Sequence, residues 1–186
     1  MAAQYYYFVS TLTALVLGEA PHLDSASFLD LLAYHVTDEE ATHLQSLART
    51  PPVSAFCPAA RRWNEIDIYL RNHVLRNRRD VDRRRVAEWT REEREVFPGL
   101  DPQIDDALNA PNPLQREWRL DRIRWQILEE ARFARPFAVD ALAVYRLQLL
   151  LVEKWAAVDA AAGLQHIRDI ADKLRPHEQL EAVGLQ

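Results

Sequence analysis

The sequence predicts an all-α fold, a compact bundle of about six to eight helices, on three observations. The first is composition: of 186 residues only 4 are Gly, while Ala, Leu, Arg and Glu recur throughout. Those four side chains lose little freedom in a helix. The second is explicit start signals: Thr37-Asp38-Glu39-Glu40 is a capping box, and Asn112-Pro113 sets a cap before a proline at the first helical position. The third is periodicity, which is strongest from Asn112 to Trp155, where two long apolar patterns carry a high density of Trp and Arg.

The elements follow in order. Tyr5, Phe8, Val9, Leu12 and Leu15 have helical spacing, so Gln4–Leu15 reads as a first helix. Gly18 to Asp24 is a loop, after which Ser25 or Ser27 caps a short helix through Phe28 and Leu32. The capping box opens a third helix ending near Leu47. Pro51, Pro52 and Pro58 then break the chain, and a strong helix runs from Ala59 to about Arg79 with Trp63, Ile66, Leu70 and Val74 on one side. The charged stretch Asp80–Glu95 continues helical after a break.

Pro98-Gly99, Pro102, Pro111 and Pro113 mark a mobile loop over about 98–112. The helix from Pro113 is apolar on two sides: Leu114, Trp118, Trp125 and Leu128 on one, Leu120, Ile123, Ile127 and Ala131 on the other. Such a helix lies between two others, or turns one side to a partner. Pro136 ends it. Val139–Val158 is apolar nearly all round, the pattern of a central helix, and a shorter helix through Ile167, Ile170 and Leu174 closes the fold. The expected core aromatics are Trp63, Trp118, Trp125, Tyr145 and Trp155.

This length makes residues 1–186 a single helical domain with room for two lobes, 1–50 and 59–186, joined by a Pro-rich linker at 50–58. The net charge is -5, and Lys154 and Lys173 are the only lysines. That balance argues against a general nucleic-acid binder, although it leaves room for a local basic patch. One cysteine, Cys57, has no partner for an internal disulfide and fits a reducing cytoplasm. The apolar N-terminal run has no basic residues before it and makes a poor signal peptide. The most apolar window, Ala141–Val152, holds Arg146 and Gln148 and falls short of the roughly 20 apolar residues a membrane span needs.

No residue set reads as a catalytic, cofactor or metal site. Glu40 and His43 have the E-x-x-H spacing of a di-iron ligand pair, but the other histidines lack the second such motif, and a solvated helix face explains the pair. Cys57 stands near Arg61 and Arg62, a setting that lowers a thiol pKa, against the default of a packed cysteine. Asp121 falls within an apolar face, where it calls for a buried ion pair with Arg124 or a distant Arg. The best electrostatic feature is the run Arg71, Arg76, Arg78, Arg79, Arg83, Arg84 and Arg85. Interleaved acids, among them Asp80, Asp82 and Glu88, favour a solvated or protein-docking face over nucleic acid.

Several segments together resemble a known family: the start YYYFVSTL, the helix SFLDLLA, and above all NPLQREWRLDRIRWQILEEA followed by ALAVYRLQLLLVEKW. They are similar to an uncharacterised bacterial family encoded beside the genes of V/A-type ATPases. That family in turn resembles a shortened form of the d-type subunit of rotary V/A-type ATPases. The tyrosine-rich start, the Leu-rich helix after it and the Asn64–Arg71 helix carry this second step. The d-type subunit is longer, with three similar lobes.

The resemblance implies a fold like that of the d-type subunit, and a non-catalytic subunit or assembly factor that binds other ATPase subunits, in the central stalk and membrane ring. It further implies a cytoplasmic protein held at the inner membrane through its complex. Arg71, Arg78, Arg79, Arg83, Arg84 and Arg85, with Arg116, Arg119 and Arg124, would be its docking surface. The alternative is a nucleic-acid-binding helical module using the Arg71–Arg85 helix, and a third reading is an enzyme using Glu40 and His43, or Cys57.

Overall fold

The computed structural model describes residues 5–48, 55–77 and 82–158, and every regular element among them is helical. The fold is all-α. The helices are α1 (Tyr6–Thr11), α2 (Ser25–Leu32), α3 (Asp38–Ser46), α4 (Pro58–Arg76), α5 (Arg83–Trp89), α6 (Asp101–Leu108), α7 (Pro113–Ala134) and α8 (Val139–Ala156). The chain divides into two compact units, Met1–Ala156 and Ala157–Gln186, and the second falls almost wholly outside the described residues. The expected helix through Ile167, Ile170 and Leu174, the prolines Pro51 and Pro52, and Arg78 and Arg79 also lie outside them.

Local chemistry sets the helix starts. At α3 the capping box is complete: Thr37 Oγ1 accepts the Glu40 backbone N–H at 3.3 Å, and Glu40 accepts the Thr37 N–H at 3.0 Å. At α7 the Asn112 side chain accepts the Gln115 N–H at 2.8 Å, with Pro113 in the first turn. The cap of α2 is Asp24, which accepts the Ser27 N–H at 2.7 Å, rather than Ser25 or Ser27. Ser25 is engaged elsewhere: its N–H (2.6 Å) and its hydroxyl both donate to Glu153 of α8. That contact ties the start of α2 to the end of the central helix.

Two apolar cores hold the first unit together. One gathers Phe8 of α1, Phe28 and Leu32 of α2, Leu44 of α3 and Trp63 of α4 around Leu142, Leu147 and Leu149 of α8. The other joins Ile66, Tyr69 and Leu70 of α4 to Ile104 of α6 and to Leu120 and Ile123 of α7. The first core mixes helices from both sides of residues 50–58, and the boundary between compact units falls at Ala157 instead. Helix α8 is buried along nearly its whole length, as its all-round apolar pattern predicts. Helix α7 serves both cores, giving Leu120 and Ile123 to one and Leu128 to the other.

Four expectations differ from the structure. The stretch read as a mobile loop, 98–112, contains a short 3-10 turn at Pro98–Leu100 followed by α6, with Ile104 and Ala107 buried. Pro102 starts that helix instead of breaking it, because a proline in the first turn gives up an N–H that has no intrahelical partner. The charged stretch Asp80–Glu95 is helical only as α5 within the described residues; beyond Trp89 the chain is held to α4 in a non-helical path. On α7, Leu114 is exposed and Ala131 joins the first core, on the side of Leu128 three residues earlier. Of the five expected core aromatics Trp63 and Tyr145 are buried, whereas Trp118, Trp125 and Trp155 are half-buried at the rim.

That rim is a packed one. Trp118 and Trp155 meet edge to face with centroids 4.8 Å apart, and Gly18 closes over Trp118. Gly18 has a φ of 96°, and a Cβ built there would stand 2.8 Å from the indole. Only glycine fits on both counts.

Candidate functional site

Asp67 interrupts the apolar stripe of α4 between Ile66 and Leu70, and it is fully buried. A carboxylate there stays charged only with partners. One oxygen accepts Arg124 Nε of α7 at 2.8 Å and the other accepts Arg71 Nε, one turn along α4. Arg124 Nη1 donates to Asp121 at 2.8 Å. The second Asp121 oxygen accepts Lys154 Nζ at 2.6 Å and Trp155 Nε1 at 2.9 Å, both from α8. Lys154 also donates to Glu117 at 2.5 Å. Three cations and three carboxylates thus alternate along the seam of α4, α7 and α8.

The electrostatics follow the geometry. Burial alone would lower the Arg124 guanidinium, but the charges of Asp67 and Asp121 outweigh it and raise its pKa. Arg124 is 8% exposed, so of the described arginines expected to form a docking surface it lies deepest, reaching the outside only where it lines a cleft between α4, α5 and α7. Its pairing with Asp121 is the buried ion pair that Asp121 calls for, with Asp67 as a further partner.

A cleft of about 340 Å³ opens beside this seam between α4, α5 and α7, lined by Arg71, Asn72, Val74, Leu75, Trp89, Arg91, Glu117, Leu120 and Arg124. Asn72, itself buried, builds one wall. Its amide donates to Arg91 O (2.7 Å) and to Glu93 (2.8 Å), and its oxygen accepts the Arg91 N–H at 3.0 Å. Arg76 adds a bond to Glu93. These contacts fix the segment after α5 against α4, so Trp89, 51% exposed, is presented from a held backbone.

The other arginines of the expected docking surface differ among themselves. Arg83, Arg84 and Arg85 are exposed on α5, which buries no residue at all. Arg116 is exposed on the first turn of α7. Arg119 pairs with Asp106 of α6 at 2.8 Å and also donates to its carbonyl at 3.0 Å. Arg71 keeps a partly exposed side chain while pairing with Asp67.

Glu40, His43 and Cys57 are placed for structure. Tyr5 donates to Glu40 at 2.7 Å, Thr37 takes up its other oxygen, and His43 stacks on Phe56 with centroids 5.0 Å apart. Cys57 is buried at the start of α4, the default of a packed cysteine, and burial pushes its thiol up to about 11 rather than down as nearby Arg61 and Arg62 alone would. The nearby charge that opposes ionisation is Asp140, which accepts the Ala59 N–H at 3.0 Å. Among the described residues, no cluster of three or more His, Cys, Asp or Glu could hold a metal ion, and no helix is long and apolar enough to cross a membrane.

Residues 97–178 match a family described as a protein of unknown function (DUF2764). The matched stretch takes in α6, α7 and α8, so Glu117, Leu120 and Arg124 of the cleft fall inside it, and Arg71, Asn72 and Trp89 outside. Neither a curated protein nor a solved structure matches the chain.

Sequence reasoning reaches Asp121 and Arg124 but misses Asp67, Asn72, Trp89, Lys154 and Trp155 as parts of one arrangement. A signal exists for the first: Asp67 sits inside an apolar stripe, as Asp121 does, and Arg71 follows it at i+4. Asn72 gives no such signal, because its partners lie in the irregular segment after α5.

Proposed function

We propose that this chain is a non-catalytic subunit or assembly factor of a bacterial V/A-type rotary ATPase, acting by docking in the central stalk region. The observation that carries the docking part is α5 with Trp89 and the segment behind it. This element buries nothing, yet Asn72 holds it against the body of the protein. An element that adds no core but is held in a defined place suits recognition by a partner. The link to the ATPase comes from the resemblance of the α1, α2, α7 and α8 sequences. The absence of chemistry in this reading accords with a Glu40 carboxylate occupied by Tyr5 and Thr37 and a Cys57 thiol buried with a raised pKa.

A tagged pull-down from native membranes, read by mass spectrometry, tests the proposal. Recovery of stalk subunits supports it, and repeated recovery of none overturns it. The competing reading is a nucleic-acid-binding module, favoured by the exposed Arg83, Arg84 and Arg85 beside an exposed tryptophan. It predicts binding that weakens steeply as salt rises.

A further inference from the structure

We propose that the cleft between α4, α5 and α7 seats one carboxylate side chain, Asp or Glu, offered by a partner protein next to an apolar side chain that packs on Trp89. The inference rests on the docking reading above and gives it a location and a chemistry. Arg71 spends only Nε on Asp67, and Arg124 spends Nε and Nη1 on Asp67 and Asp121. Their remaining Nη groups have no hydrogen bond among the described residues, and both side chains line the cleft. Charged N–H donors held in place by buried acids are the usual recognition of a carboxylate. The ion pairs fix both guanidinium groups beforehand, so little side-chain freedom is lost when an acid arrives.

The rest of the lining decides the class of partner. Trp89, Val74 and Leu120 give an apolar wall, which suits a side chain neighbouring the acid rather than a free ion. Glu117 also lines the cleft and already holds Lys154, so a second negative charge finds no cation there. Glu88, Glu92, Glu93 and Glu95 stand in the chain on either side of Trp89 and Arg91 and would repel a continuous polyphosphate backbone. One isolated carboxylate is admitted, and a nucleic acid is opposed.

The test uses the full chain in its native cells, with p-benzoyl-phenylalanine in place of the exposed Glu88, cross-linked by light and mapped by mass spectrometry. Capture of a protein segment with Asp or Glu within a few residues of the cross-link is the expected result. A synthetic peptide of that segment should bind at least about tenfold more tightly than its amide counterpart, Asn for Asp or Gln for Glu, the loss of one charged hydrogen-bonded contact. Arg71→Gln should erase that difference. Trp89→Ala, whose exposed side chain can be removed without touching a core, should weaken both peptides. Capture of RNA, capture of a segment without an acid, no capture, or equal binding of acid and amide peptides overturns the cleft.

The two readings fail separately. If ATPase subunits are recovered by pull-down but cross-linking at position 88 gives none of the expected products, docking stands and the cleft falls. An acidic segment from a protein outside the ATPase, with the peptide discrimination intact, keeps the cleft and removes the ATPase.

Discussion

Arginines in the seam of α4, α7 and α8 and arginines on α5 look alike in sequence and stand in opposite surroundings. Arg124 is buried between two carboxylates and joins three helices through them. Arg83, Arg84 and Arg85 stand on a helix that buries nothing. The difference lies in the positions between the charges. Around Arg124 the sequence supplies Leu120, Ile123 and Leu128, which pull that stretch of α7 into both cores and carry the charge inside. Around Arg84 the neighbours are charged, so burial gains too little apolar area to offset desolvation. Charge is therefore held between buried partners in one region and stands on an open helix in the other.

The sharpest way to break that contrast is Asp121→Ala. It removes the carboxylate that Arg124, Lys154 and Trp155 share, and leaves the buried Arg124 and the half-buried Lys154 without it. Loss of one partner of a buried pair costs about 3–5 kcal/mol. Chemical denaturation should show that loss. A value near zero would mean that the seam is solvated and that the two groups of arginine do not differ.

Much of this architecture is legible in the sequence, for reasons that particular residues make plain. Thr37 and Asn112 announce their helices because a cap is decided by neighbours a few positions away. The central place of α8 is legible because it is apolar all round. Pro102 misleads because one residue type both breaks helices and starts them, and only the burial of Ile104 and Ala107 resolves which. The seam is half legible: Asp121 declares itself by interrupting an apolar face, whereas its partners Lys154 and Trp155 stand 33 and 34 residues away on another helix. The cleft is least legible, since Asn72, Trp89 and Leu120 meet only through the packing of three helices.

The edge of the seam offers the next test. Gly18→Ala meets a φ of 96° and a Trp118 ring atom 2.8 Å from the new Cβ. Strain of this kind costs about 1–3 kcal/mol. Differential scanning calorimetry should show a lower Tm, and a disturbed Trp118–Trp155 pair should change the near-ultraviolet circular dichroism.

Arg146 sharpens the comparison from within α8. It is as buried as Arg124, but its Nε and Nη1 have no hydrogen bond among the described residues, and burial lowers its pKa against the weaker opposing influence of Glu153. A buried donor without a partner costs about 1–3 kcal/mol. Arg146→Met, which keeps the long stem and drops the donors, should therefore raise stability by about 1 kcal/mol in a denaturant titration. A loss instead would show that the guanidinium contributes to folding through its stem contacts or charge, and that a buried arginine needs no full set of partners here.

Glu40 tests a half-buried acid by pH. Burial pushes its carboxyl up, but hydrogen bonds from Tyr5 and Thr37 outweigh that and hold it below the ordinary range. A depressed folded pKa gives stability that is complete above the unfolded value, about 4.3, and is lost as pH falls through the folded value. Stability of the natural chain should therefore decline below about pH 5, and Glu40→Gln should flatten that decline. An unchanged slope would assign the acid sensitivity to other groups.

The smallest effect is expected on α5, and it decides whether the contrast is real. Arg84 is exposed in a helix with no buried residue, and the Arg84 backbone N–H, which Asp82 accepts at 3.0 Å, survives any side-chain change. Arg84→Ala should therefore stay within about 0.5 kcal/mol of the natural chain in chemical denaturation. Alanine is a marginally better helix former than arginine, so any small change in stability should favour the variant, whereas partner binding should weaken if the charge serves recognition. An arginine that can be removed without loss of stability but with loss of binding belongs to the surface. If Arg84→Ala instead destabilised the fold as Asp121→Ala does, α5 would belong to the structural seam, and the division between charge that the fold needs and charge that it does not would collapse.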